Sequence, residues 1–340
     1  MNAKKTTLIL AAALRGSMAS AQLFWNPPDS STTYSGTGGD GAWNTTAENT
    51  VWWDATTEGN VVFSNDAGAV FEGAGAVTNT QDILPGPTTF QNLTGDYTFS
   101  NRVRFNANRH LTVDASGGTH NVSFNSGIAI GGGNIITNNS SGLLSVGNLR
   151  RIFGSPSVTF AGSGNITANQ FDNVGDGNMG FTMNGTGRLT FTGTVLSNET
   201  GNITLNAGEF YASSGSSTVS NDLVWNEGLL IFDLSTIDNS SNTININNAF
   251  TKGSGETFAF DFGNSGLINE TYTLMTFAST DFALSDFTAV NTMGGNFSFG
   301  TTEINEATFQ TLQYAVIPEP GTLVLLGIAL GSLLLFRRRK

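Results

Sequence analysis

The chain has 340 residues and a net charge of −12, and only 12% of its residues are charged. It contains no cysteine, which excludes disulfides, thiolate metal sites and a cysteine nucleophile. The acidic balance argues against nucleic acid as a partner, and 25 phenylalanines beside 42 glycines argue against disorder and for many short strands with polar turns.

The front of the chain reads as an export signal. Lys4 and Lys5 supply a positive start, Thr7 to Leu14 a short apolar run interrupted at Arg15, and Ala19-Ser20-Ala21 a small-residue cleavage pattern. Residues 1–21 are therefore expected to be removed as a signal peptide, so that the mature protein begins at Gln22.

Residues 22–316 hold seven basic against 25 acidic residues, a net of −18. They show no helical periodicity of useful length, only short apolar alternations broken by Gly, Asn and Ser. Early in this stretch come Phe24-Trp25, the run Gly38 to Asn44 containing Trp43, Trp52-Trp53-Asp54, and Ala69-Val70-Phe71. This opening resembles that of autotransporter-associated β-strand repeat proteins, and the resemblance implies a β-helical surface structure. The tryptophans suit either the packing of a first coil or stacking on a sugar face. Adjacent Trp52 and Trp53 must point to opposite sides of a strand.

An apolar-Thr/Ser-apolar triplet recurs at Leu111-Thr112-Val113, Leu144-Ser145-Val146, Ile166-Thr167-Ala168, Leu189-Thr190-Phe191 and Ile203-Thr204-Leu205, with starts 33, 22, 23 and 14 residues apart. Gly164, Gly187 and Gly201 each precede a triplet by two residues. A spacing near 22 suits one coil of a parallel β-helix with glycines at its corners. The expected fold is all-β, with a solenoid body over 22–244. A β-sandwich is the alternative.

Charge is distributed unevenly along this body. Residues 22–101 carry nine acids and no base, and 189–316 carry thirteen acids and one base, Lys252. Between them lie three acids and six arginines: Arg102, Arg104, Arg109, Arg150, Arg151 and Arg188. Arg102 and Arg104 share a face of an extended strand. Stacked coils would align these arginines as a stripe for the carboxylates or sulfates of a polysaccharide, or pair them with the acidic flanks to fix coil register.

The remaining chemistry is sparse. His110 and His120 fit no metal motif, and there is no nucleophile elbow or phosphate-binding loop. Asp172, Asp176 and Asn178 read as a turn sooner than a Ca²⁺ loop, as do Gly39-Asp40-Gly41. We expect no catalytic residue, no metal and no cofactor.

Residues 245–315 are rich in phenylalanine. Phe258, Phe260 and Phe262 alternate along one strand face, with Tyr272 and Leu274 repeating the pattern. This region is expected to cap the last coil.

The chain closes with Val316-Ile317-Pro318-Glu319-Pro320-Gly321, an apolar run through Phe336, and then Arg337, Arg338, Arg339 and Lys340. Counted over 321–336, a helix would span about 24 Å, short of a hydrocarbon core of about 30 Å. The basic cluster belongs on the cytoplasmic side, which places the body across the membrane. This order of features resembles the PEP-CTERM sorting signal of Gram-negative, biofilm-forming bacteria. The resemblance implies recognition and cutting by an exosortase-type membrane peptidase at Pro318, Glu319 and Pro320. The two proline rings hold that segment extended.

Together these readings describe an exported protein, tethered through 321–336 during sorting and then released to the cell surface or matrix. Its expected role is structural or adhesive, among exopolysaccharide. The alternatives are a β-helical polysaccharide-degrading enzyme, which needs converging carboxylates, and a carbohydrate-binding module.

Overall fold

The computed structural model describes residues 21–317 apart from 28–32, 81, 153–156, 173–177, 198–200, 214–215, 236–242 and 257. Among them are 27 strands and two short 3₁₀ turns, Ala115–Gly117 and Leu284–Asp286, with no α-helix. No helix of the described residues is long and apolar enough to cross a membrane.

The strands build a parallel β-solenoid of about seven turns, which sets aside the β-sandwich. Each coil lays down three strand segments on three faces. The first face stacks His110–Val113, Asn134–Asn138, Ser157–Ala161, Gly180–Met183, Ile203–Leu205 and Leu223–Trp225 in parallel register. The second stacks the start of Leu144–Arg151 on Val122–Phe124, then Ile166–Phe171, Arg188–Phe191, Glu209–Ala212, Leu229–Ile231, Phe258–Asp261 and Phe287–Val290. The third begins with Val103–Phe105, Ile128–Ile130 and the end of Leu144–Arg151.

Short strands suffice because most strands of the stack pair on both sides, so their backbone donors and acceptors are satisfied between coils. Strand residues alternate between core and surface, as in Val122–Phe124, Ile203–Leu205 and Leu223–Trp225, where only the outer two side chains are buried. The inward side chains then stack rung on rung. One column of the first face runs Leu111, Ile136, Phe160, Met183, Leu205, Trp225. Phe181 and Phe191 face each other across the interior at 5.2 Å between rings.

Both ends of the stack are closed by a change of direction. At the front, Gln22–Trp25 pairs in parallel with Gly68–Asn79 but antiparallel with Trp52–Asp54. Trp25, Trp43, Trp52, Phe63 and Phe71 plug that end, all fully buried. At the back, parallel stacking continues through Ile244–Lys252 and Phe258–Asp261 to Phe287–Val290. The hairpin of Gly295–Ile304 and Ala307–Val316 then adds antiparallel to Thr271–Thr280. Phe258, Phe260, Phe262, Tyr272 and Leu274 all point into this end of the core.

Candidate functional site

Four of the six arginines converge on the third face. Arg104 stands in register with Ala129, and Ala129 with Arg150, on three successive coils. Rungs are about 4.8 Å apart, so the two arginine backbones lie about 9.6 Å apart with a single methyl group between them. Alternation turns Val103 and Phe105 into the core and leaves Arg102 and Arg104 on the outer side. Arg151, Ile152 and Asp82 complete the rim of an open cleft of about 270 Å³. Ala129, at its floor, is only 3% exposed. Asp82 is the one acid among the described lining residues and pairs with Arg104. Arg102 Nε is buried without an acceptor. Neither Arg102 nor Arg150 forms an ion pair among the described residues.

The six arginines divide between the two arrangements that the sequence left open: four line the cleft, and two pair with acids elsewhere. Arg109 donates to Asp66 at 2.9 Å, and Arg188 to Glu209 at 2.7 Å on the next rung. The cleft lies in register across three coils; Arg109 and Arg188 precede or begin strands on other faces and face acids there. These two pairs link residues of different coils.

The other sequence candidates have structural occupations. His110 Nδ1 accepts from the Ile135 amide, and His120 lies 4.0 Å from Asp96. Asp172 accepts from Asn148 at 2.8 Å, while Asp176 lies outside the described residues. Asp40 accepts from the Ala76 amide at 2.7 Å. No three His, Asp or Glu side chains among the described residues gather to hold a metal. Trp25, Trp43 and Trp52 are buried, so of the four front tryptophans only half-buried Trp53 has a partly open face, 6.5 Å from the ring of Tyr34.

Sequence reasoning passed over Glu72. It follows Ala69-Val70-Phe71 inside an apolar strand, and an acid in that position was the available signal. Its carboxylate accepts from Tyr34, from Gln91 at 2.8 Å and from Asn92 at 2.7 Å. The Tyr97 hydroxyl donates to its backbone carbonyl at 2.6 Å. Burial pushes the carboxyl pKa up, but the three donors outweigh it and hold Glu72 below the usual carboxylate range. Burial, together with the hydrogen bond to Glu72, drives the Tyr34 hydroxyl well above the ordinary tyrosine value.

The two terminal addresses lie at the edges of the described residues. Residues up to Ser20, Ala19 among them, lie outside the described residues, and the Ala21 carbonyl accepts from the Gly68 amide at 2.8 Å. Ile317 is the last described residue. Pro318, Glu319, Pro320, the run 321–336, and Arg337, Arg338, Arg339 and Lys340 lie beyond it.

Fold and cleft together define an all-β solenoid with a basic hollow on a predominantly acidic body. Residues 316–340 match the PEP-CTERM protein-sorting motif. That motif is the recognition signal for exosortase processing, and it marks an exported protein sorted through the membrane. No curated protein and no solved structure matches the chain.

Proposed function

We propose that this protein is a non-enzymatic structural or adhesive component of the cell surface or extracellular matrix of a Gram-negative bacterium, working among exopolysaccharide. The observation that carries the reading is the joining of a sorting tail, 316–340, to a solenoid in which several acidic side chains bond from one coil to another. Glu72 ties three segments to one another, and Asp66, Glu209 and Asp286 are held by Arg109, Arg188 and Lys252. Such acids are poorly placed to act as the free carboxylate pair that glycoside cleavage requires. The tryptophan-spaced opening, with its resemblance to autotransporter-associated repeats, supports a surface role.

In this reading the run 321–336 holds the protein in the inner membrane, with Arg337 to Lys340 in the cytoplasm and the solenoid on the far side. A membrane peptidase then cuts near Pro318-Glu319-Pro320. The test is intact-mass and C-terminal peptide analysis of the protein from its native cell, beside a triple Pro318→Ala, Glu319→Ala, Pro320→Ala variant. A C-terminus near Pro320 in the wild type, with the tail kept in the variant, supports the reading. A chain ending at Lys340 in both reduces the tail to an anchor and overturns it.

A further inference from the structure

We propose that the arginine cleft of the third face is a binding site for an acidic glycan, and this deepens the surface-and-polysaccharide reading, on which it rests. Four arginines line one hollow on a chain of net charge −12, with Asp82 the only acid among its described lining residues. Register accounts for only part of this arrangement. Arg104 has Asp82, but among the described residues neither Arg102 nor Arg150 forms an ion pair, and the Arg102 Nε–H is buried without an acceptor there. A buried donor of a charged group left unmatched is costly. A carboxylate or sulfate settling over Ala129 meets the guanidinium groups that line the cleft, where an oxyanion accepts two parallel N–H bonds from a guanidinium fork.

The shape of the cleft selects the kind of anion. Arg104 and Arg150 are two rungs apart, about 9.6 Å, close to the length of a disaccharide unit. The cleft therefore fits two acidic groups on alternate sugars better than a single small ion. The acidic flanks on both sides of residues 102–188 repel a densely charged polymer that runs on along the stack. A glycan with one charge per disaccharide meets the arginines without overrunning them.

Calorimetric titration of the full-length protein in detergent tests the site. The probes are a hexasaccharide alternating glucuronate with a neutral sugar, a sulfated hexasaccharide, the carboxyl-reduced glucuronate hexasaccharide, and single-stranded DNA. We expect one of the acidic probes to bind, weakening as salt rises, and the reduced probe not to bind. An Arg102→Gln, Arg150→Gln double variant should lose at least tenfold in affinity, while an Arg109→Gln, Arg188→Gln variant keeps it. Equal far-ultraviolet spectra confirm that both variants fold. Undiminished binding by the cleft variant, equal binding of the reduced sugar, tighter binding of DNA, or no binding of either acidic probe overturns the site. Binding in solution is independent of tail processing, so its failure leaves the surface reading standing, and tail retention in cells leaves the site standing.

A separate observation carries a second inference. Exposed large apolar side chains gather where the chain leaves the solenoid: Leu267 (69% exposed), Ile268, Met293 and Ile317. The Asn269 amide donates to the Val316 carbonyl at 2.8 Å and the Ile317 amide to the Gly294 carbonyl at 3.1 Å, so both turns flank the exit. The apolar run begins at Gly321, four residues on, which is at most about 14 Å of extended chain. We infer that this apolar tip rests in the lipid interface while the tail is inserted. The absence of cysteine allows a clean test. Leu267→Cys and Thr119→Cys, each carrying an environment-sensitive dye, are reconstituted with the tail intact in phosphatidylcholine vesicles. Quenching by brominated lipid at 267 but not at 119 is expected; equal or absent quenching at both overturns it.

Discussion

Tyr34 and Glu72, 38 residues apart in sequence, are joined by a hydrogen bond from the tyrosine hydroxyl to the carboxylate. Glu72 is 8% exposed and also receives Gln91 and Asn92. One acid thus fastens the segment around Tyr34 to the first coils of the stack.

Glu72→Gln keeps the volume but removes the charge that these donors favour, and it should destabilise the protein by about 1.5–3 kcal/mol at neutral pH. The folded-state pKa lies below the ordinary glutamate value of about 4.5. The contribution of the charge is therefore fully present above about pH 4.5 and is lost as the pH falls through the depressed value. Urea denaturation at pH 7 and in steps below pH 4.5 should show the stability gap between wild type and variant narrowing. A gap constant with pH contradicts the assignment.

Corner glycines make the second case. A Cβ on Gly208 would lie 2.3 Å from the Gly185 carbonyl oxygen, and Gly208 has φ +77°. Gly185 and Gly228 stand in the same relation to Gly162 and Gly208, so the close approach repeats from coil to coil. Gly208→Ala combines a left-handed backbone with a backbone clash and should cost at least about 2 kcal/mol. Gly132 has open space around its Cβ position and no positive φ, so Gly132→Ala should stay within about 0.5 kcal/mol. Chemical denaturation of the two variants checks the contrast.

The triplets show why the repeat was only partly readable from sequence. Leu144, Ile166 and Leu189 occupy one column of the second face, and their 22- and 23-residue spacings are single coils. The triplets at Leu111 and Ile203 lie on the first face, so the 33- and 14-residue intervals are crossings between faces. Alternation along one strand likewise placed Arg102 and Arg104 together. Adding Arg150 required the register of three coils, which depends on turn lengths that local pattern does not encode. Ala129 gave no signal, because its part is to leave room.

The tryptophans divide by burial. Trp43 is fully buried against Trp52, Phe63 and Phe71, with ring separations of 5.3, 5.1 and 5.4 Å. Trp43→Ala opens a cavity that this rigid cluster fills poorly and should cost about 3–5 kcal/mol. Half-buried Trp53 has its ring 6.5 Å from that of Tyr34, and Trp53→Ala should cost less than about 1 kcal/mol. Thermal melting followed by tryptophan fluorescence separates the two. Equal losses would mean that the front plug is not packed as described.

The closing hairpin bears on assembly. A parallel stack ends in a strand whose outer backbone groups offer a template to another chain. Here Ala307–Val316 covers Thr271–Thr280 in the antiparallel sense, and Gly295–Ile304 pairs with it along ten rungs. The outermost strand carries Gly295, Gly300 and Glu303, residues that make a poor edge for further pairing. Phe297 and Tyr314, 5.0 Å apart, also lie over Phe262, Phe260 and Phe287. Truncation after Asn291 removes this cover and bares both the edge and the aromatic end of the core, whereas truncation after Ile317 removes the tail alone. Sedimentation velocity over a hundredfold range of concentration should show self-association rising steeply for the first protein and not for the second. Identical behaviour of the two would show that the hairpin does not restrain association of the solenoid end.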